Sequence, residues 1–151
     1  MKIKNWAIVF LLSTLVLTGC GDDIGELSDV SEQEVEDVSL FIKEYKEQLV
    51  DAVNGGRFND VEPYLVANTT FYHLVRRYVS DLQNNKRLTL VEQTVLDVKI
   101  NEHNEYYAHV NEIEETEDKF GQIETIPLDI SYVLLPYQDS YRIVTIIKNE
   151  Q

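Results

Sequence analysis

The spacing of apolar residues changes near Arg87, from steps of three and four residues to every second residue. The first pattern is typical of amphipathic helices, and the second is typical of strands with one buried face. The strands are joined by links too short for helical crossovers, so neighbouring strands should run antiparallel. The chain is therefore predicted to be an α+β domain, with three N-terminal helices packed on one face of a curved antiparallel four-stranded sheet.

The first helix has clear start and stop signals. Ser31 and Glu34 have the spacing of a capping box, in which each side chain binds a free backbone N–H group of the first turn. Apolar residues then recur along one face as far as Val53. The segment Asn54-Gly55-Gly56 should end the helix, because glycine readily adopts the left-handed conformation of a helix cap.

Two further helices are predicted before the sheet. Asp60 can cap a short second helix, and Pro63 is tolerated in its first turn. Thr69 or Thr70 should open the third helix, which fades at residues 83–85. The apolar stripe of the third helix consists of Phe71, Leu74, Val75, Tyr78, Val79 and Leu82.

The candidate strands are residues 90–100, 106–115, 125–135 and 141–148. In the first of these strands the apolar phase slips between Val95 and Leu96. A slip of one residue is typical of a β-bulge, which would bend the sheet.

The first twenty residues have the order of an export signal. Lys2 and Lys4 give a positive start, and residues 6–16 form an uncharged apolar stretch that is too short to span a membrane. The segment that follows, Leu17-Thr18-Gly19-Cys20, resembles the lipobox of bacterial lipoproteins at all four positions. The resemblance implies that Cys20 receives a diacylglycerol and becomes the first residue of the mature protein.

Lipidation would hold the protein on the outer side of the cell membrane. We therefore divide the chain into a signal peptide (1–19), the lipidated Cys20 with an acidic tether (20–33), and a single α+β domain (34–150). The alternative is an ordinary secretory signal in which the cysteine occurs by chance. Cys20 is the only cysteine of the chain, so no internal disulfide can form, and acylation would remove an otherwise free thiol.

The chain is strongly acidic, with 27 acidic and 13 basic residues and a formal net charge of −14. Such a field repels nucleic acid and anionic lipid headgroups, so no nucleic-acid partner is expected. Most of the acidic residues are scattered and should lie on a solvated surface. A denser group around one strand end allows weak calcium binding, although a solvated hairpin tip is the favoured interpretation. This group consists of Glu112, Glu114, Glu115, Glu117 and Asp118.

Part of the chain resembles a known family. The segments Phe41-Ile42-Lys43-Glu44-Tyr45, 52–58, Val61-Glu62-Pro63-Tyr64-Leu65 and Phe71-Tyr72 occur in the order found in the C-terminal domain of TcaA, a teicoplanin-resistance-associated membrane protein of Gram-positive bacteria. The likeness covers roughly residues 38–147. It implies a nuclear-transport-factor-2-like, cystatin-related fold and an extracytoplasmic envelope module, with no established catalytic residues to transfer. The zinc-binding head and the membrane span of TcaA have no visible counterpart in this sequence.

No strong catalytic motif is present: the chain lacks a glycine-rich phosphate loop, a His-Glu-x-x-His motif, a cysteine pair and a Gly-x-Ser-x-Gly elbow. Related folds host isomerases and dehydratases, and His73, at the edge of the third-helix stripe, is the best single candidate for a general base. A half-exposed boundary histidine is the favoured interpretation. No metal and no cofactor are expected, because the three histidines are far apart in sequence and the acidic residues lack EF-hand spacing.

The favoured function is that of a binding module for a cell-wall component or an envelope protein, and a small-molecule isomerase or dehydratase is the alternative. The expected cleft is lined by tyrosines, with Arg76 and Arg77 nearby. Tyrosine offers an apolar face and a hydroxyl that suit sugar or peptide rings, while arginine pairs with carboxylates or phosphates. The tyrosines are Tyr64, Tyr72, Tyr78, Tyr106 and Tyr132. Packing in the core and at its boundary is the alternative role of these side chains. Dimerisation through the exposed sheet face is common in this fold, so the resemblance also implies a homodimer.

Overall fold

The computed structural model describes residues 24–149, so the expected signal peptide and Cys20 lie outside the described residues. The helical elements are α1 (Glu32–Val53), two 3-10 turns (Phe58–Asp60 and Glu62–Tyr64) and α2 (Thr70–Gln83). The strands are β1 (Ser28–Asp29), β2 (Lys86–Ile100), β3 (Tyr106–Asp118), β4 (Ile123–Tyr137) and β5 (Ser140–Lys148). They form one sheet in chain order, and every neighbouring pair is antiparallel. The expected α+β arrangement is confirmed.

Helix α1 begins at the predicted capping box. Glu34 N donates to Ser31 Oγ at 3.3 Å, and Ser31 N donates to Glu34 Oε2 at 2.9 Å. The helix ends at Asn54, as predicted, and the side chain of this residue then binds the sheet. Asn54 Nδ2 donates to Leu88 O at 2.8 Å and Asn54 Oδ1 accepts from Leu88 N at 2.9 Å, so the end of α1 is tied to β2. Across residues 24–149, no helix combines the length and the apolarity needed to cross a membrane.

The prediction of a second α-helix is wrong, because this segment is not α-helical. The segment forms two 3-10 turns separated by Val61, because the chain becomes extended at Leu65 after too few residues to form successive turns of an α-helix. The predicted third helix is confirmed as α2, where Thr69 Oγ1 accepts a hydrogen bond from Tyr72 N at 3.1 Å. In the described part of the chain, the three expected helices are therefore two α-helices and a pair of 3-10 turns.

The sheet has five strands within residues 24–149, one more than predicted. Ser28 and Asp29 pair with Ile100 and Lys99 at the edge of β2, and Lys99 Nζ lies 2.6 Å from Asp29 Oδ1. Both residues of β1 belong to the segment that the sequence places in the tether. Two polar residues show no apolar alternation, so this strand carries no signal of its own in the sequence.

Two register shifts interrupt the pairing of β2 with β3. One lies between Val95 and Asp97, at the predicted bulge, and the other lies between Leu90 and Glu92. A bulge increases the local twist and bends its strand. The sheet therefore bends along β2, as the slip in apolar phase indicates.

The core lies between the helices and the inner face of the sheet, which we define as the face toward α1 and α2. On β3 this face carries the buried side chains of Tyr106, Ala108 and Val110. Full burial of a large apolar side chain contributes roughly 1.5–3 kcal/mol, so packing against the sheet holds the helices in place. The buried apolar residues of α1 are Val38, Phe41, Ile42, Tyr45, Leu49, Ala52 and Val53.

One stretch of β4 has an open edge. Strand β5 pairs with residues 130–137 of β4, and Asn149 N donates to Asp129 O at 3.0 Å. Within the described residues, no strand pairs with residues 123–128 on that side. Backbone groups alternate between the two sides of a strand, so Pro127 turns its nitrogen, which has no hydrogen to donate, toward the open side.

Candidate binding groove

An open groove runs between α2 and the inner face of β4 and β5, with buried residues of α1 beneath it. Its volume is about 400 Å³. Lys46 and Glu114 are the charged residues of the lining. The apolar walls include Phe71, Leu74 and Tyr78 on the helix side and Ile126, Leu128 and Ile146 on the sheet side. We call this feature the groove.

The groove exists because the sheet covers only part of the apolar stripe of α2. Val75 and Val79 are buried, whereas Leu74 is 52% exposed and Tyr78 is 36% exposed. Across the groove, Leu128 is only half-buried. Helix and sheet thus present apolar surface to the same open space, which is typical of a binding surface.

A buried cluster of charges lies at the bottom of the groove. Lys46 Nζ lies 2.6 Å from Glu112 Oε2 and also contacts Glu114 Oε1. Lys46 is 4% exposed, Glu112 is 1% exposed and Glu114 is 6% exposed. Glu112 Oε1 accepts hydrogen bonds from Tyr132 Oη at 2.6 Å and from Gln93 Nε2 at 2.8 Å. Its other oxygen, Oε2, faces the Lys46 ammonium group.

The cluster also determines the ionisation of its neighbours. Burial alone would lower the pKa of Lys46, but the charges of Glu112 and Glu114 outweigh burial and raise this pKa above its usual value. The pKa of the Tyr78 hydroxyl is raised by burial and by the charges of Glu114 and Glu112. Lys46 is therefore a cation and Tyr78 a neutral hydroxyl at physiological pH. The two glutamates project a negative potential into the groove.

The tyrosines proposed from the sequence do not meet in one cleft. Tyr78 lines the groove, whereas Tyr132 is fully buried beneath it, with its hydroxyl on Glu112. Tyr64 belongs to the second 3-10 turn and packs against Phe41 of α1, with ring centroids 5.5 Å apart. Of these three tyrosines, only Tyr78 is placed to touch a ligand in the groove.

The other candidates from the sequence lie away from the groove lining. The Tyr72 hydroxyl donates to the Glu62 carboxylate, and the Tyr72 ring is buried edge-on to Phe58 at 5.3 Å. Arg76 is exposed on α2 and does not line the groove. Tyr106 donates to Glu34 near the start of α1. Arg77 is exposed as well.

His73 is exposed on α2 and lies edge-on to the Tyr72 ring, at 5.2 Å between centroids, outside the groove lining. His109 lies on the outer face of the sheet, where its Nε2 is 2.7 Å from Asp129 Oδ1. Within residues 24–149, no three or more His, Cys, Asp or Glu side chains are arranged to hold a metal ion.

The sequence reasoning overlooked Lys46 and misplaced two glutamates. Glu112 and Glu114 were expected at a solvated hairpin tip, and this is wrong because both are buried. A signal was available: Ala108 and Val110 point inward, and a period of two carries the same phase to Glu112 and Glu114. Lys46 directly follows the buried Tyr45 on α1. Two inward carboxylates need a nearby cation, and Lys46 supplies it.

Comparisons with known proteins agree with this architecture. The chain is 36% identical over 148 residues to an uncharacterized protein of Alkalihalophilus pseudofirmus, and the match covers 95% of each chain. The structure is similar to the intermembrane space region of the chloroplast protein ARC6, with a TM-score of 0.60 and 8% identity over 81% of this chain and 100% of that one. It is also similar to Aln2 from a Streptomyces species, with a TM-score of 0.57 and 10% identity over 81% and 94% of the two chains. At such low identities the two solved structures establish the fold alone.

The family follows from the sequence of the folded region. Residues 34–147 match the family described as the TcaA protein NTF2-like domain. This range runs from the first turn of α1 to the end of β5 and includes every residue that lines the groove. The resemblance found in the helical segments is thereby confirmed, and the chain belongs to the TcaA NTF2-like domain family.

Proposed function

We propose that this protein is a lipid-anchored, extracytoplasmic binding module of the bacterial cell envelope, whose groove holds the apolar part of a cell-wall component. The observation that carries the proposal is the half-exposed apolar surface of Leu74 and Tyr78, which faces Leu128 across open space. Membership of the TcaA domain family and the lipobox at Cys20 support an envelope location.

The size of the groove suits a small apolar group. A volume of about 400 Å³ lies within the range of roughly 300–1,000 Å³ that is typical of ligand sites. Removal of apolar surface from water contributes roughly 25 cal/mol per Å², so filling the space beside Leu74 would favour binding. The walls belong to a helix and a sheet, which keep their shape without a ligand.

An anchor at Cys20 would leave the groove accessible. Only residues 21–23 lie between Cys20 and Ile24, so Ile24 could stand at most about 14 Å from the anchored residue. Ile24 O accepts a hydrogen bond from Asn101 Nδ2 at 2.9 Å, beside the end of β3 that begins at Tyr106. Glu114 lies about 26 Å farther along β3, at the rise of a strand. The groove would thus be remote from the membrane end of the domain.

An isomerase or dehydratase of the same fold is the alternative function. Such an enzyme needs an acid or base that can reach a substrate in the groove. His73 does not line the groove, and the one carboxylate that does, Glu114, is held by Lys46. These contacts favour binding over proton transfer.

The proposal is tested with the lipidated mature chain, which begins at Cys20, in detergent and with purified cell-wall sacculi as the probe. Leu74→Asp places a charge at the groove, while Leu40→Asp is the matched control, because Leu40 is 54% exposed on α1 and lies outside the groove lining. We expect protein-free sacculi to retain the wild type and Leu40→Asp but not Leu74→Asp. Equal retention of all three chains, or no retention of any, contradicts the proposal. Retention only by sacculi that still carry protein would replace the wall component with a partner protein.

A further inference from the structure

The buried cluster beneath the groove has unequal charges. One ammonium group, that of Lys46, lies between two carboxylates, those of Glu112 and Glu114. All three residues are more than nine-tenths buried. Moving an unbalanced charge out of water is costly, and the cost is recovered only by a counter-charge or by hydrogen bonds. Within the described residues, the cluster lacks one positive charge.

The two carboxylates differ in how well they are satisfied. Glu112 has Lys46 at one oxygen and two hydrogen-bond donors, from Tyr132 and Gln93, at the other. Glu114 has only Lys46, at Oε1, and its Oε2 receives no hydrogen bond or ion pair from residues 24–149. Glu114 is also the member of the pair that lines the groove. The unbalanced negative charge is therefore presented to whatever fills the groove.

The walls on either side of Glu114 are apolar and aromatic. Tyr78 and Phe71 lie on the helix side, and Ile126 lies on the sheet side. A ligand suited to this arrangement has an apolar body between the walls and a positive end at the carboxylate. An anionic end would meet a like charge in a site of low dielectric, and a neutral end would leave the charge unbalanced.

We infer that the groove binds a small amphiphilic amine, whose ammonium group pairs with Glu114 while its apolar body packs between Tyr78 and Ile126. This inference rests on the proposed function and specifies the chemical class of the ligand. An ammonium–carboxylate pair that also forms a hydrogen bond is roughly twice as strong as a neutral hydrogen bond, so the charged end provides selectivity. The apolar walls provide the remaining affinity.

The test compares three probes that share one ring and differ only at the end group: benzylammonium, benzyl alcohol and phenylacetate. The lipidated mature chain in phosphatidylcholine vesicles is titrated by calorimetry, and the heat of protein-free vesicles is subtracted. We expect benzylammonium to bind about tenfold more tightly than benzyl alcohol, and phenylacetate to bind most weakly. In Glu114→Gln the advantage of the amine over the alcohol should fall to about threefold or less.

Because the whole chain is acidic, a matched control is needed. Glu117→Gln removes the same charge from an exposed position on the same strand and should keep the full preference for the amine. An equal loss of preference in both variants would assign it to the general field of the protein and overturn the inference. If Glu114→Gln fails to fold, the wild type still tests the inference, because the amine must bind more tightly than the alcohol and the alcohol more tightly than the acid.

The two proposals fail in distinguishable ways. If benzyl alcohol binds as tightly as benzylammonium, and Leu74→Asp weakens the binding of the alcohol, the groove binds ligands but the inference about charge is wrong. If no probe binds, or if Leu74→Asp leaves the affinity for the uncharged benzyl alcohol unchanged, the groove is not a binding site and both proposals fall.

Discussion

The hydroxyl of Tyr106 donates a hydrogen bond to Oε1 of Glu34 at 2.7 Å, which joins the first turn of α1 to the start of β3. The other oxygen of the same carboxylate accepts from Ser31 Oγ at 2.7 Å and from Ser31 N at 2.9 Å. Bonds from Ser31 and from Tyr106 stabilise the charged form and lower the pKa of Glu34 from 4.5 to about 2. One side chain thus serves both as a helix cap and as a tie between helix and sheet.

This lowered pKa predicts a pH dependence of stability. Because the folded pKa is below the unfolded one, the contribution of Glu34 is fully present above about pH 4.5 and is lost as the pH falls toward 2. Glu34→Gln should therefore be less stable than the wild type at pH 6, and the difference should close between pH 4.5 and 2. Urea unfolding, followed by circular dichroism at several pH values, measures the difference in the free energy of unfolding between the two chains. Glu36→Gln changes an exposed neighbour whose side chain makes no hydrogen bond to another described residue, and it should show no such convergence.

Removal of the buried cation should destabilise the fold strongly. Lys46→Met leaves two buried carboxylates with no positive partner, and we expect a loss of about 3–5 kcal/mol in the free energy of unfolding. Lys43→Met is the matched control, because the Lys43 side chain is 64% exposed and should cost little. Urea unfolding curves of the two variants give both free energies of unfolding. Neutralising the acids as well, with Glu112→Gln and Glu114→Gln, should recover part of the loss, and no recovery would mean that charge balance is not the cause.

The tie between α1 and β2 should depend on a single amide. Asn54→Ala leaves the N–H and C=O groups of Leu88 without the side chain that binds both, so we expect a loss of about 1–3 kcal/mol. Asn59→Ala changes an exposed asparagine of the first 3-10 turn and serves as the control. Thermal unfolding of the two variants compares them directly. Equal melting temperatures would show that water replaces the amide without cost.

Substitutions at two tyrosines of α2 should differ in their effect on the affinity for benzylammonium. Tyr78→Ala removes an aromatic wall of the groove, and we expect the affinity for benzylammonium to fall roughly threefold to tenfold. Tyr72→Phe removes only a hydroxyl that is engaged with Glu62, outside the groove lining, and should leave the affinity unchanged. Calorimetric titration of both variants measures the difference. The opposite order would place the ligand near Glu62 instead.

The sequence predicted the elements whose signals are local. The capping box at Ser31, the cap at Thr69 and the bulge near Val95 depend on a few adjacent residues, and each is present. Strand β1 was missed because its pairing is decided by the edge of β2, which is distant in sequence. The 3-10 turns replaced a helix because the chain becomes extended at Leu65, after barely one turn.

The groove could be predicted only in part. The stripe of α2 is plain in the sequence, but which of its residues stay uncovered depends on how far the sheet extends under the helix. Leu74 and Val75 are adjacent and both apolar, yet one is half-exposed and the other is buried. The pairing of Lys46 with Glu114 joins α1 to β3, two elements that are distant in sequence. The many acidic residues at this end of β3 also hid the fact that every second residue points inward.

The position of Pro127 has a consequence for many copies of the chain on one surface. Under the proposed lipid anchor, copies of the chain would meet repeatedly in the plane of a membrane, and an unpaired strand edge is a template on which a second molecule can add a strand. The open stretch of β4 would offer such a template, but Pro127 interrupts its row of donors. Crowding on such a surface would therefore bring these domains together without seeding a sheet that grows from one molecule to the next.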